Sequence, residues 1–128
     1  MLLNLTDISD EPLQGQISRQ IRAKIMQAEL ESDAGLPSIR ELAREGKVSV
    51  ITVQRAYEIL EREGLIHARR GKGFFVSEMS DKAKKELTMG RLVKSLGPII
   101  RTALEEGLSA REIKKTIDDI SEKGNDEA

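Results

Sequence analysis

The sequence predicts a mainly α-helical protein with one small β-hairpin. The chain is 38% hydrophobic but only 2% aromatic, so its core must come from Leu, Ile, Val and Ala, which favours helices. Apolar residues recur at helical spacing over most of the length. Only around residue 71 does the pattern change to two short strand-like runs separated by glycines. The predicted order is three helices, a two-stranded hairpin and a short α-helical C-terminal segment.

The first predicted helix begins at Pro12, where a missing N–H has no cost. Its apolar stripe runs over about 16 residues and consists of Leu13, Ile17, Ile21, Ile25 and Ala28. The helix ends before the acidic, glycine-containing turn at residues 31–37.

Serine caps mark the two helices that follow. Ser38 and Glu41 have the spacing of a capping box at the start of a short helix that ends near Gly46. Ser49 opens a third helix, and Gly64 ends it by accepting a left-handed backbone. Helical spacing places four residues on its buried face: Val53, Ala56, Tyr57 and Leu60.

Residues 65–69 and 74–76 are predicted to be strands, joined by a tight turn at residues 70–73. Three helices followed by a hairpin have the order of a winged helix-turn-helix. We expect this domain to span residues 11–79, with the hairpin at 65–76 as its wing.

Residues 80–122 are predicted to form a helical dimerisation segment, followed by a frayed tail at 123–128. Gly97-Pro98 interrupts the first helix and should kink or split it, and Ser109 with Glu112 forms a second capping-box pattern. Two short helices cannot bury the apolar stripe alone, so a homodimer is expected. The stripe consists of Leu92, Val93, Leu96, Ile99, Ile100, Ala103, Leu104, Ile113, Ile117 and Ile120.

Composition excludes several classes of site. There is no cysteine, which removes disulfides, thiolate catalysis and Cys-ligated zinc. With a single histidine, His67, a His-based metal cage or a Ser-His-Asp arrangement is hard to build, and no convergent nucleophile, base and orienting group can be named. We therefore expect no cofactor, no metal and no enzyme activity. His67 is predicted to be a strand residue without chemistry. Residues 71–73 lack the third glycine, the Lys-Ser/Thr pair and the following helix of a nucleotide-binding loop.

The N-terminus does not have the pattern of a signal peptide, and no apolar stretch is long enough for a membrane span. A cytoplasmic protein without a membrane partner is expected. The net charge of −1 divides unevenly, since residues 37–77 carry 8 basic and 5 acidic side chains, against 3 and 6 in residues 1–36. A local positive field suffices for contact with phosphates, so the middle third is the candidate surface for double-stranded DNA.

The middle of the chain resembles the GntR family of bacterial regulators. The matching residues are Pro12-Leu13, Gln16-Ile17, LPSIRELA at 36–43, VS at 48–49, TV at 52–53, AY at 56–57, EREGLI at 61–66 and GKGFFV at 71–76. The short C-terminal segment looks like that of the YtrA-type subfamily. This resemblance implies a transcriptional regulator, most often a repressor, whose C-terminal helices form a dimer and whose genes often accompany ABC transporters. The resemblance leaves open whether the protein binds a small-molecule effector.

The resemblance also implies which residues contact the DNA. The start of the third helix enters the major groove, and the family points to Ser49, Val50, Ile51, Thr52 and Gln54 there. Arg55 is a further candidate for DNA contact, because helical spacing places it on the solvent-facing side of that helix. Arg40 matches an arginine of the family that contacts phosphate or bases, while Ser38 is mainly a cap. At the wing, a minor-groove contact is expected from Arg69, Arg70, Gly71 and Lys72.

Three positions depart from the family pattern. Val50-Ile51 replaces a polar or basic pair, Gln14 replaces a tyrosine, and Gly46 replaces an apolar residue. The base preference is therefore open, and Ile51 could equally be a core residue.

Arg40, the wing and the chain as a whole also have simpler alternative interpretations. Arg40 could form a surface ion pair, and the basic wing could be an ordinary solvated charge run. The main alternative for the whole chain is a winged helix that contacts proteins and no DNA.

Overall fold

The computed structural model describes residues 1–127, with the side chains of residues 1–124. It confirms the mainly α-helical class with one antiparallel hairpin. The chain divides into two compact units, the first ending at Lys84 and the second beginning at Lys85. In chain order the elements are α1 (Leu13–Met26), α2 (Ile39–Gly46), α3 (Val50–Arg62), β1 (Ile66–Arg69), β2 (Gly73–Val76), α4 (Asp81–Glu105) and α5 (Ala110–Glu127).

The core of the first unit combines the residues that helical spacing selected with apolar residues of the hairpin segment. Helices α1 and α2 both pack against α3, and each large apolar side chain buried there contributes about 1.5–3 kcal/mol. The most deeply buried apolar residues are Ile17, Ile21, Ile25, Leu42, Val53, Ala56, Tyr57, Leu60, Leu65, Ile66 and Val76. The hydrophobic periodicity of the sequence therefore determines the helical part of this core.

The helix ends follow the predicted caps, with two corrections. Ser38 accepts a hydrogen bond from the Glu41 amide, but no reciprocal bond from the Glu41 side chain occurs among the described residues. Helix α2 ends at Gly46 as predicted, and the residue after it, Lys47, adopts the left-handed conformation (φ 54°). Ala28 (φ 60°) similarly lies beyond α1, so the predicted stripe ends three residues earlier, at Ile25.

Strand β2 of the wing is paired along both of its edges. Strands β1 and β2 run from the pair Ile66–Val76 to the pair Arg69–Gly73. On the other side of β2, residues 33–36 add further backbone bonds. Among these, the Asp33 N–H donates to the Val76 carbonyl at 2.8 Å, and the Leu36 N–H donates to the Phe74 carbonyl at 2.9 Å. The segment that precedes α2 thus holds the wing in place.

The N-terminal residues are part of the first unit. Gln16 is buried, and its side chain bonds to both the N–H and the carbonyl of Thr6, at 2.9 and 2.7 Å, and to the carbonyl of Glu11 at 2.8 Å. Gln20 makes a similar pair of bonds to the backbone of Asn4, both at 2.7 Å. The compact unit therefore includes residues 1–10, which the sequence pattern placed outside the domain.

In the second unit, α4 continues through Pro98, so the helix is not split there. Gly107 (φ 104°) turns the chain, and Ser109 with Glu112 forms both halves of a capping box, at 3.0 and 3.1 Å. The hydrogen bonds from the Ser109 backbone and side chain hold the pKa of Glu112 below its ordinary value. Helix α5 extends to Glu127, so the segment expected to fray is helical to that point; Ala128 lies outside the described residues.

Candidate nucleic-acid interface

The first turn of α3 presents apolar side chains to solvent. Ser49 caps the helix by accepting from the Thr52 amide at 3.1 Å, and the two hydroxyl oxygens lie 2.7 Å apart. Behind this cap, Val50 is 45% exposed and Ile51 is 58% exposed. The alternative that Ile51 belongs to the core is therefore wrong. A neighbouring pair of exposed β-branched residues can contact thymine methyl groups in a major groove.

Gln54 and Arg55 lie on the same exposed side of α3. The Gln54 amide nitrogen donates to a carboxylate oxygen of Glu58 at 3.3 Å, which leaves the amide oxygen of Gln54 available as an acceptor. Arg55 is exposed. A bidentate contact from Gln54 to adenine would require its amide group to leave Glu58.

Arg40 is the second residue of α2 and is exposed. Within the described part of the chain, no carboxylate lies within ion-pair distance of its guanidinium. The surface ion pair that was the alternative for Arg40 is thus not formed. Ser38, at the start of the same helix, is engaged as its cap.

Tyr57 joins α3, the start of α2 and the wing into one platform. Its hydroxyl donates to the Pro37 carbonyl at 2.7 Å, just before α2 begins. The ring meets Phe74 of β2 edge-on, with 5.0 Å between the ring centroids. Burial raises the pKa of Tyr57 above its ordinary value, and the carboxylates of Glu41 and Glu45 raise that pKa further. This neutral, buried phenol keeps the three candidate DNA-contacting parts in a fixed relation.

The four predicted wing residues are not equivalent. Arg70, Gly71 and Lys72 lie exposed at the tip, where the Lys72 N–H donates to the Arg69 carbonyl at 2.9 Å and Gly71 has a φ of 75°. Arg69, in contrast, has its guanidinium 2.8 Å from a carboxylate oxygen of Asp33.

Sequence reasoning missed Asp33 as a neighbour of the wing. The two residues of this pair are 36 positions apart, and no local pattern reports such a contact. The sequence also predicted that His67 is a strand residue without chemistry. His67 does lie in β1, and its ring nitrogens contact Ser77 Oγ at 2.8 Å and Arg69 Nε at 3.3 Å.

The helices of the second unit carry an exposed apolar face. Leu92, Val93, Ile99, Leu104 and Ile120 are each at least 46% exposed, whereas Ile113 is buried. The other predicted dimerisation residues, Leu96, Ile100, Ala103 and Ile117, are half-buried. Within this unit an apolar groove of about 180 Å³ is lined by Leu96, Ile99, Ile100, Ala103, Leu108, Ile113, Thr116, Ile117 and Ile120.

Residues 13–76 match the family model described as "Bacterial regulatory proteins, gntR family". The chain belongs to the GntR family. Over 91% of its length it is 34% identical to the HTH-type transcriptional regulator YhcF of Bacillus subtilis, covering 95% of that protein. It is 30% identical to the HTH-type transcriptional repressor YtrA of the same organism, over 94% of this chain and 92% of that one. The resemblance inferred from the motifs is confirmed.

Solved structures support the same assignment. YtrA from Sulfolobus acidocaldarius, a GntR-family transcription factor, matches 96% of this chain and 99% of its own, with 31% identity and a TM-score of 0.58. The DNA-binding domain of AraR, solved in complex with operator ORR3, matches 59% of this chain and 95% of its own, with 28% identity and a TM-score of 0.50. The GntR chain is therefore a DNA-binding transcriptional regulator. No helix in the described residues is long and apolar enough to cross a bilayer.

Proposed function

We propose that this GntR-family chain is a cytoplasmic transcriptional repressor that binds a palindromic operator as a homodimer. One observation supports the DNA-binding geometry. The exposed first turn of α3 and four exposed cations, which have no carboxylate partner in the described residues, belong to the same unit. These cations are Arg40, Arg55, Arg70 and Lys72. Unpaired cations can neutralise phosphates without first giving up an ion pair. That YtrA is named a repressor and that AraR was solved with an operator supports the proposal.

In this proposal the first turn of α3 reads bases in the major groove. Gln54 pairs with an adenine edge, and Val50 with Ile51 contacts thymine methyl groups. Thr52 and Ser49 face the same groove with hydroxyls that are 2.7 Å apart and already satisfy the helix cap, as Ser38 does for α2. These serines and Thr52 therefore position the helix first, and any contact with phosphate is secondary.

Arg40 and the wing tip supply affinity that depends little on sequence. Arg40 and Arg55 flank the groove, while Arg70 and Lys72 approach the minor groove on either side of Gly71. Apart from its chain neighbours, a Cβ on Gly71 would meet no described atom within 4 Å, so the tip is not covered by other parts of the protein. Phosphate contacts of this kind fix the register of the protein without specifying bases.

The homodimer in this proposal forms through the second unit. A second copy would cover the exposed stripe on α4 and α5, and a two-fold axis would place two α3 helices on one palindrome. The likeness to YtrA over nearly the whole chain supports a regulator of this architecture. We extend the proposal to control of a transporter operon, with a small-molecule effector of unidentified chemistry.

Salt-dependent DNA binding tests the proposal. Affinity of the full chain for random duplexes and for a duplex obtained by binding-site selection would be measured by fluorescence anisotropy over a range of salt. Replacing Arg70 and Lys72 by Ala should weaken binding to both kinds of duplex. It should also lower the salt slope by about 0.9 for each phosphate that is no longer neutralised. A matched control replaces Lys94 and Lys114, exposed lysines of α4 and α5. Absence of binding at low salt would favour the winged helix that contacts proteins instead.

A further inference from the structure

The Arg69 guanidinium is held by three parts of the first unit at once. Its Nη2 lies 2.8 Å from Asp33 Oδ1, in the segment that precedes α2. Its Cζ lies 4.2 Å from the centroid of the Phe75 ring, on β2. Its Nε donates to His67 Nε2 at 3.3 Å, on the same strand. Each contact is weak at an exposed site, but together they fix one flexible side chain.

Asp33 is placed for this contact by its backbone. It has a φ of 68°, a conformation that aspartate tolerates better than most residues. Its N–H donates to the Val76 carbonyl at 2.8 Å, and Gly35 forms a bridge with Phe75 two residues later. The carboxylate is therefore presented from a segment that is itself bonded to the wing.

The pairing changes what Arg69 can contribute to a DNA surface. Its charge is compensated by Asp33, whereas Arg70 and Lys72 have no carboxylate partner in the described residues. An arginine that moved to a phosphate would leave the Asp33 carboxylate uncompensated beside the DNA. The geometry thus separates Arg69 from the two cations that follow it.

We propose that Arg69 is a positioning residue, which acts through Asp33 to set the wing against the segment before α2. The wing cations that contact DNA are then Arg70 and Lys72. This inference rests on the proposed DNA binding, and it replaces the sequence-based assignment of Arg69 to the DNA contact itself.

A double-mutant cycle on the full chain separates the two roles. Operator affinity and its salt slope would be measured for Arg69→Gln, Asp33→Asn and the double variant, with Arg70→Gln as the control. We expect Arg69→Gln to weaken binding several-fold in the wild-type background and clearly less in the Asp33→Asn background. Its salt slope should stay unchanged, while Arg70→Gln lowers the slope by about 0.9. A similar fall in slope for Arg69→Gln in both backgrounds would overturn the proposal.

A second readout needs no DNA, so it distinguishes failure of this inference from failure of the proposed function. The amides of Asp33 and Leu36 donate to β2. In both single variants these amides should exchange with solvent faster, and the double variant should be no faster than either. The Leu42 amide, which bonds to Ser38 within the start of α2, serves as the internal control. Unchanged exchange at Asp33 and Leu36 in both single variants would refute the positioning role.

Discussion

At the scale of single residues, Tyr57 reports on the integrity of the whole platform. It is the only tyrosine in a chain without tryptophan, so its ionisation can be followed without interference. Because burial raises its pKa, the unfolded state loses the phenolic proton at lower pH than the folded state does. Ionisation of Tyr57 should therefore not affect folding stability below a pH of about 10, its ordinary pKa, and should lower that stability as the pH rises above this value.

This prediction is checked by recording tyrosinate absorbance and circular dichroism in one alkaline titration. We expect tyrosinate to form together with unfolding and not before it. Tyr57→Phe should lack this part of the alkaline destabilisation. At neutral pH it should lose about 1–2 kcal/mol, because the Pro37 carbonyl is left without its hydrogen-bond donor. Tyrosinate appearing near its ordinary pH in a protein that is still folded would contradict the prediction.

Gln54 is the residue on which base preference can be tested most directly. Gln54→Ala should relax discrimination at one operator position by about 1–3 kcal/mol, or ten- to a hundred-fold, and at its symmetric counterpart. Binding-site selection on the wild type and the variant measures this. Glu61→Ala, on the same helix and exposed, is the control and should leave preferences unchanged. If the preferences with Gln54→Ala are identical at every position, Gln54 does not read a base.

Ile51 and Arg69 differ from the core residues in how far the sequence determines their environment. Helical projection identified Ile17 and Val53 as core residues because they lie at the centre of an apolar stripe. Ile51 lies at the edge of its stripe, where burial depends on neighbours from other elements, so periodicity left its position open. Arg69 has a clear charge, but its pairing with Asp33 is a contact between distant segments, which composition and spacing do not report.

At the scale of elements, the N-terminal segment is the largest addition to the sequence-based description. Residues 1–6 belong to no helix or strand, and side chains of α1 hold their backbone instead. Gly46 belongs to the same arrangement, since a Cβ at this position would lie 3.0 Å from Leu5 Cδ1. The departure from the family at Gly46 thus makes room for Leu5, which no local pattern could have shown.

Gln16 tests how much this segment contributes to the fold. Gln16→Ala removes three partly buried hydrogen bonds to Thr6 and Glu11 and should destabilise the first unit by about 1–3 kcal/mol. The Thr6 amide should also lose protection from exchange. Gln20→Ala is the matched control, because the two hydrogen bonds from Gln20 to Asn4 are exposed and should contribute clearly less to the free energy of unfolding. Equal effects of the two variants, measured by urea unfolding, would show that burial of Gln16 does not matter.

At the scale of the whole molecule, the two units differ in how they are stabilised. The first has a continuous buried core supplied by three helices and the hairpin. Of the hydrophobic residues in the second unit that the structure describes, only Ile113 is buried, and the rest of the stripe is half-buried or exposed. Two helices with so little burial lack a core of their own. The small amount of burial in the second unit could be anticipated from its apolar stripe. The continuity of α4 through Pro98 could not be anticipated, because contacts with neighbouring residues decide how a helix tolerates proline.

The proposed homodimer predicts the outcome of placing charge on this stripe. Ile99 and Ile120 are 64% and 65% exposed, so replacing both by Lys should leave each protomer folded. Between two protomers, however, the lysines would be buried without partners, and the dimer should dissociate. Ile8→Lys is the control, since Ile8 is 92% exposed in the first unit and lies outside the stripe.

Sedimentation and operator binding should then change together. We expect the double variant to sediment as a monomer at about micromolar concentration, while wild type and Ile8→Lys remain dimers. Affinity for a full palindrome should fall steeply, because the second half-site is no longer bound by a tethered copy. Affinity for a single half-site should stay the same, since α3 and the wing are untouched. A wild-type chain that sediments as a monomer, or a double variant that keeps full affinity for the palindrome, would rule out dimerisation through α4 and α5.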